Sequence, residues 1–474
     1  MPLSSPLESK EPMSEISIIN RVAVGDLLRR TASRHGDRTA IVDGEIRLSY
    51  TELNEQVNRI GPFFQRQGLK TGDRVATVCA NSWQFLVVIY ALHKTGLVWV
   101  PINHGLDDQT ITYIIGHAEA RALVVDGAFA TRLEAMADCP VVLALGDESP
   151  GITPFAQALD DGDITEPTAH IEDRDLCQIM YTSGTTGHPK GVMQSHLAVY
   201  LATLSNAIEL EVHATDAIPC MLPLFHCTQH VLSSTIMHLG GKNVIMPRFE
   251  PRALMEAIHK ERISLVIGLP MMYRAILNHP ERARFDLKSL RLCLYAMAPM
   301  DEPTLRRCIH ELCENVALVS GQTEVYPATV MFKPEEQLRR FGPYWGTPVV
   351  IDDLAIMDDD GNLLGRGEVG EIVHRGPNVM LGYYKDPNAT EKSRAFGWHH
   401  TGDLGKIDPD GQLLFMDRKK DMIKSGGENV ASIKVESVLL AHPAVANAAV
   451  VGLPHERWSE AVSAFVVLKP DQKA

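Results

Sequence analysis

No apolar run in these 474 residues reaches the roughly 20 residues that a membrane-spanning helix needs. Positive charge is in deficit: 45 lysines and arginines face 59 aspartates and glutamates, for a formal net charge of -14. Such a balance gives no electrostatic reason to bind nucleic acid or an anionic membrane. The eight cysteines (Cys79, Cys139, Cys177, Cys220, Cys227, Cys293, Cys308 and Cys313) form no C-x-x-C pair and show no metal-type spacing. They read as reduced thiols, and the expectation is a cytoplasmic protein. Residues 1–17 are acidic-polar, unlike a secretory signal, and read as a disordered tail. Repeats of solenoid period are missing, as are low-complexity tracts beyond that tail.

What the chain does have is length and mixed texture. Its 474 residues exceed one ordinary domain, and 45% hydrophobic with 22% charged residues fits a globular protein of two or three. Apolar β-branched runs alternate with helical periodicity: residues 74–79 as a strand, 82–92 as a helix with Trp83, Phe85 and Leu86 toward a core, and 98–102 as a strand. Residues 111–145 repeat the pattern. This predicts α/β layers with mainly parallel sheets. Between 351 and 415 the texture turns to short strands with Asp-Gly turns, an antiparallel β region. The charged cluster Asp417-Arg418-Lys419-Lys420-Asp421 then precedes a smaller α+β segment. The expected division is a large domain over 18–417, a hinge over 418–421 and a small mobile domain over 422–474.

The most informative stretch is Tyr181-Thr182-Ser183-Gly184-Thr185-Thr186-Gly187-His188-Pro189-Lys190-Gly191. Four glycine or proline residues, four serine or threonine hydroxyls and a lysine share eleven positions, after a strand-like run and before a helix-like one. Such a loop can aim successive N–H groups at one point, as a polyphosphate cradle requires. It is not the G-x-x-x-x-G-K-[ST] loop of another NTPase class. In a chain of net charge -14, a triphosphate site has to be made locally positive by Lys190, Arg418, loop amides and a divalent metal.

This loop resembles the signature loop of the adenylate-forming enzymes, which include acyl-CoA and aryl-CoA synthetases, luciferases and peptide-synthetase adenylation domains. Further motifs follow in that family's order. The resemblance implies that Thr182, Ser183, Gly184, Thr185, Thr186 and Gly187 grip the β- and γ-phosphates of ATP. It also implies that Lys190 supplies a point charge and that Thr185 stands near magnesium. Gly321-Gln322-Thr323-Glu324 is similar to the loop whose threonine meets the α-phosphate and whose glutamate holds magnesium, chemistry that suits that ion's preference for oxygen ligands. Ser320 replaces the aromatic residue that usually stacks on adenine; Tyr295 and Tyr326 are the nearest aromatic candidates. Tyr295-Ala296-Met297-Ala298-Pro299-Met300 resembles the adenine-binding loop, with Tyr295, Met297 and Gln322 also expected toward the acid.

Pro223-Leu224-Phe225-His226-Cys227 resembles a P-x-F-H motif and implies that His226 gates or orients the substrate carboxylate. Cys227, Thr228 and Gln229 are then expected along the acid pocket. No neighbouring motif activates Cys227 as a nucleophile. Thr401-Gly402-Asp403 followed by Arg418 resembles a ribose clamp, in which a carboxylate accepts from both ribose hydroxyls. Lys420 falls at the family's pivot. Gly426, Gly427 and Glu428 match the stretch that lines the pantetheine tunnel of acyl-CoA ligases.

The chain ends at Ala474, just after a strand-like run over 462–468. The family carries beyond such a strand a lysine that serves adenylation. Lys469 and Lys473 lie too close to the run to be that lysine, so an incomplete C-terminus is the expectation. Without that lysine, adenylation is expected to fall roughly 10²–10³-fold or more, and acyl transfer less. The leading expectation is ATP- and magnesium-dependent activation of a small carboxylic acid, then transfer to coenzyme A. An amide synthetase with an amine acceptor, and a non-catalytic nucleotide-binding homologue, are the alternatives.

Overall fold

A computed structural model describes residues 19–134, 139–146, 151–160, 163–182, 188–296, 300–440, 442 and 444–469. The expected tail over 1–17 lies outside them. The first α/β layer is an eight-stranded sheet. Its strands run in the order Gly382–Tyr383, Lys190–Ser195, Leu176–Thr182, Val98–Pro101, Arg74–Val78, Ala122–Asp126, Val141–Leu145 and Thr153–Pro154. Leu176–Thr182 pairs antiparallel with Lys190–Ser195, and the rest of the sheet beyond it is parallel. Val75, Val98, Val100, Val124 and Val125 are buried there, as expected of strands covered on both faces.

The helix expected over 82–92 runs Trp83–Thr95. Ser82 Oγ accepts the Phe85 N–H at 3.2 Å at its start, and Gly96 in the left-handed region ends it. It is apolar on nearly all sides, and every residue from Phe85 to Thr95 is buried, so it is a core helix rather than an amphipathic one. Phe85 and Leu86 are fully buried as expected, and Trp83 is partly buried against the same core.

The second layer is a nine-stranded sheet. Leu265–Gly268, Leu292–Tyr295 and Val316–Ser320 are parallel, and six antiparallel strands follow. Antiparallel pairing therefore begins at Val330–Phe332, about twenty residues before the change of texture at 351. Val330, Met331 and Phe332 are buried and carry the apolar run of a core strand, so composition alone does not mark them as antiparallel. A smaller four-stranded sheet comprises Ala217–Cys220, Lys242–Ile245, Thr39–Asp43 and Ile46–Ser49.

Beyond Arg418 comes an antiparallel four-stranded sheet (Glu428–Val430, Ile423–Ser425, Ser459–Leu468, Val445–His455) with the helix Ser432–Leu440. The fully buried Asp417 carboxylate ties the two parts together. It accepts the Ser432 N–H at 2.5 Å and the Ser432 hydroxyl at 2.9 Å. A tight turn follows, with the Asp421 and Met422 N–H groups donating to the Arg418 carbonyl. Among the described residues, no helix is long and apolar enough to cross a membrane.

Candidate active site

One cavity of about 720 Å³ lies where the two large sheets and the C-terminal turn meet. The strand ends carry polar residues to it because side chains there escape the apolar layers. Leu176–Thr182 delivers Thr182, and its antiparallel partner delivers Lys190 directly opposite. Val316–Ser320 ends in the loop that presents Ser320, Gly321, Gln322, Thr323 and Glu324. His226 and Cys227 stand at the start of the helix Cys227–Leu239. Asp403 and Arg418 are register partners on neighbouring antiparallel strands. Ala296, Thr228 and Lys420 complete the set of expected residues on the wall. Ser183, Gly184, Thr185, Thr186 and Gly187 lie outside the described residues, as do Met297, Ala298 and Pro299.

Other expected residues point elsewhere. The Tyr295 side chain is buried in the core, and its hydroxyl donates to Gln337 Oε1 at 3.0 Å, so the structure does not bring it to the cavity. Tyr326 is fully buried with its hydroxyl 2.5 Å from His230 Nδ1, and it too is absent from the wall. Gln229 is buried and accepts the Leu222 N–H, facing the core. Gly426, Gly427 and Glu428 form the turn of a hairpin, and the Gly426 N–H donates to the Trp458 carbonyl; none of the three lines the cavity.

Glu324 is the centre of a hard oxygen cluster. Its Oε1 accepts the Tyr383 hydroxyl at 3.0 Å and lies 3.5 Å from the Thr182 hydroxyl. Lys190 Nζ sits 5.0 Å from the Tyr383 ring centroid. Burial and the neighbouring Glu324 carboxylate hold the Tyr383 phenol well above its ordinary value. Among the described residues, no group of three or more His, Cys, Asp or Glu side chains could cage a metal. That donor set fits magnesium, which commonly takes one or two carboxylates and completes its octahedron with phosphate and water oxygens.

Asp403 is nearly buried, and burial pushes its carboxyl up to about 6 although Arg418 and the Gln322 amide pull the other way. Gln322 Nε2 donates to Asp403 Oδ2 at 2.9 Å and to the Thr401 carbonyl at 3.2 Å, so Gln322 joins two segments that the sequence keeps 79 or more residues apart. The Arg418 guanidinium is 4.0 Å away and largely exposed. Among the described residues, four cations (Lys190, Arg418, Lys419, Lys420) and two carboxylates (Glu324, Asp403) line the cavity, a surplus of two positive charges. Lys419 is partly neutralised by Asp359 at 2.7 Å and Glu371 at 3.1 Å.

His226 Nδ1 accepts the Thr228 N–H at 3.3 Å as the helix cap and lies 3.7 Å from Cys227 Sγ. The thiol raises the imidazole above its ordinary value. The imidazole is open to the cavity although protein surrounds most of it. Burial alone would push the Cys227 thiol up. His226, Thr323 and Thr228 together outweigh it and bring the thiol below its ordinary value. The sequence shows no partner for Cys227; the partner is its own neighbour, turned back by the helix cap. A second cavity of about 390 Å³, walled by Ile102, Leu106, Ile114, Met180 and Phe225, shares Thr182, His226, Cys227 and Thr323 with the first. The imidazole therefore stands between two cavities.

Sequence reasoning missed Tyr383, Val319, Pro327 and Ala328 on the wall. Tyr383 arrives through a two-residue strand paired with Val192 and Met193, and no local motif announces so distant a pairing.

The class that this fold defines is an adenylate-forming α/β enzyme. Residues 28–384 match the AMP-binding enzyme family, and residues 434–474 match the AMP-binding enzyme C-terminal domain. The chain belongs to the AMP-binding enzyme family. It is 33% identical over 442 residues to a feruloyl-CoA synthase of an Amycolatopsis species, a match covering 92% of this chain and 87% of that protein. Its fold is similar to O-succinylbenzoate coenzyme A synthetase of Bacillus subtilis in complex with ATP and magnesium ion. There the TM-score is 0.84 and the identity 27%, over 93% of this chain and 89% of that one. It is also similar to the amide bond synthetase McbA of Marinactinospora thermotolerans, with a TM-score of 0.85 and 28% identity over 95% of this chain and 90% of that one.

Proposed function

We propose that this enzyme condenses a carboxylic acid with ATP to an acyl-adenylate, releasing pyrophosphate, and then passes the acyl group to the thiol of coenzyme A, releasing AMP. The single observation that carries the reading is convergence. Thr182 and Lys190, His226, Gly321 to Glu324, Asp403 and Arg418 come from segments far apart in sequence and line one cavity.

In the first step a carboxylate oxygen attacks the α-phosphorus, so two anions must approach. Lys190 and the amides and hydroxyls of 182–187, Thr185 among them, hold the phosphates. Thr323 donates toward the α-phosphate, and fixed dipoles of this kind need no reorganisation as charge develops. Glu324, beside Thr182 and Tyr383, is the carboxylate that would hold magnesium, whose chemistry is to neutralise phosphate charge. Asp403 accepts from the ribose hydroxyls, with Gln322 fixing the carboxylate and Arg418 at its edge. Ala296, Met297, Ala298, Pro299, Ser320 and Gly321 are assigned to the adenine side. Cys227, Thr228 and Met297 are assigned to the acid.

In the second step the thiol attacks the acyl carbonyl. His226, between the two cavities, is placed to open the acyl end to an acceptor entering through the second one. We assign the division of the chain at 418–421, with Lys420 as pivot, and Gly426, Gly427 and Glu428 to the acceptor side of the rearranged small domain.

An amine acceptor is the second reading, favoured by the likeness to an amide bond synthetase. Aliphatic, aromatic and heteroaromatic acids incubated with ATP, magnesium and either coenzyme A or an amine discriminate the two. Acid-dependent pyrophosphate release with a thioester by mass is the expected result. An amide alone would support the second reading, and no acid-dependent pyrophosphate release across the panel would overturn both.

A further inference from the structure

Two glutamine side chains are fully buried side by side beneath the site. Gln178 and Gln194 are register partners on the antiparallel strands that lead into and out of the phosphate loop. A sheet core normally takes Val, Ile or Leu there, because a buried amide costs free energy unless it is hydrogen-bonded. Gln194 has one strong bond. Its Nε2 donates to the Thr323 carbonyl at 2.7 Å. Its Oε1 has no partner among the described residues. Gln194 does not line the cavity, whereas Thr323 and Glu324 do.

The bond joins two things that have to be spaced correctly. Lys190 and Gln194 are four residues apart on one strand, so strand periodicity puts them on the same face. Thr323 and Glu324 are adjacent. One carboxamide therefore couples the strand of the cation to the peptide that carries the carboxylate. A second tie runs in parallel: the Met380 N–H donates to the Glu324 carbonyl and the Leu381 N–H donates to the Met193 carbonyl, both at 2.8 Å. The Thr323 and Glu324 carbonyls are thus both anchored to the Lys190–Ser195 strand, one by a side chain and one through the backbone.

We propose that Gln194 is a positioning residue for the adenylation step, one that acts by holding the Thr323–Glu324 peptide at a fixed distance from Lys190. The proposal rests on the adenylating function given above. Losing the bond frees one of two ties, so the loop stays attached but loses its register with the cation. The consequence belongs to the magnesium-dependent half-reaction. Transfer of an acyl group from a supplied acyl-adenylate needs neither pyrophosphate nor the magnesium that Glu324 would hold.

The test compares Gln194→Leu, which removes the donor at similar volume, with Gln194→Glu. A buried glutamic acid keeps the shape and, while protonated, can still donate to the Thr323 carbonyl. For Gln194→Leu we expect acid-dependent pyrophosphate release to fall about 10–100-fold in kcat, the range typical of groups that orient metal ligands. Transfer from a supplied acyl-adenylate should be little changed. Calorimetric titration with ATP should show magnesium enhancing binding less than in the parent protein, a readout independent of turnover. Gln194→Glu should recover activity as pH falls and lose it as the carboxyl ionises. Equal losses in both half-reactions, tracking a fall in melting temperature, would show Gln194 to be structural only. Unchanged kcat and magnesium response would overturn the proposal outright. Should the parent protein release no pyrophosphate with any acid, the adenylating function fails. The titration with ATP and magnesium still decides whether Gln194 sets the loop.

Discussion

Replacing Asp403 by asparagine should stabilise the ligand-free protein while weakening its hold on nucleotide. Burial pushes the carboxyl up to about 6 from an ordinary 3.8. Two pH units at about 1.36 kcal/mol each amount to ~3 kcal/mol spent keeping Asp403 ionised at pH 7. The sign follows from proton binding. Between about pH 4 and 6 the folded state holds a proton that the unfolded state has released, so this contribution to stability is full at low pH and lost as pH rises through 6. Asparagine removes that cost, which is already net of the attraction to Arg418, an exposed guanidinium 4.0 Å away. The gain is therefore ~3 kcal/mol at pH 7, a rise of several degrees in melting temperature. Thermal unfolding from pH 5 to 8 checks it, and the advantage of Asp403→Asn should shrink toward pH 5. Added AMP should protect the parent protein more than the variant, because asparagine offers one neutral acceptor oxygen to the ribose hydroxyls where the carboxylate offers two charged ones. In the parent protein, AMP affinity should fall as pH drops below 6. A variant that melts no higher at any pH, and binds AMP like the parent, would refute both the desolvation and the ribose assignment.

Three further outcomes follow from the same geometry. Cys227→Ala should lower the His226 imidazole toward its ordinary 6.5, since the thiol is what raises it; proton NMR of the ring C–H signals across pH 5–9 reads this. Gly346→Ala should be among the most damaging single changes. Gly346 has φ +99 and an added Cβ would collide with the Met331 backbone carbonyl across the strand pair, so a loss above about 4 kcal/mol in denaturant unfolding, or failure to accumulate folded, is expected. Tyr383→Leu should raise the magnesium concentration for half-maximal pyrophosphate release roughly tenfold, whereas Tyr383→Phe, which keeps the ring beneath Lys190, should raise it less.

The layering was legible because β-branched runs and helical periodicity alternate regularly. Ser82 caps the helix Trp83–Thr95 where the expected helix begins, whereas Gly96 ends it three residues past the expected 92. The change to antiparallel pairing was placed at 351 because turn residues cluster there, although the pairing starts at Val330, where apolar residues hide it. Thr182, Lys190, Thr323, Glu324, Asp403 and Arg418 sit in compact motifs and were readable one by one. Tyr383 and Gln194 were not. Each matters through a partner more than fifty residues away, Glu324 for Tyr383 and the Thr323 carbonyl for Gln194. Tyr295 misled because Ala296 beside it lines the cavity while strand alternation turns the Tyr295 ring into the core.

Tyr383 explains how an acidic chain keeps a cation free of a carboxylate at the proposed phosphate site. Lys190 has no carboxylate partner among the described residues, although Glu324 lines the same cavity. The tyrosine stands at both: its ring lies beneath the ammonium, and its hydroxyl donates to the carboxylate. Were Lys190 and Glu324 to pair directly, triphosphate and metal would each have to break that pair, and parting charges in a partly buried site costs several kcal/mol. A cation over a ring is worth about 0.5–2 kcal/mol, little to give up for a phosphate. The hydroxyl, for its part, binds only Oε1, and among the described residues no hydrogen bond engages the second carboxylate oxygen. Of the two carboxylates that line the cavity among the described residues, Glu324 is held apart from its cation by an aromatic spacer and Asp403 faces Arg418 rather than Lys190. Neither cancels the lysine, and the cavity stays positive within a chain of net charge -14.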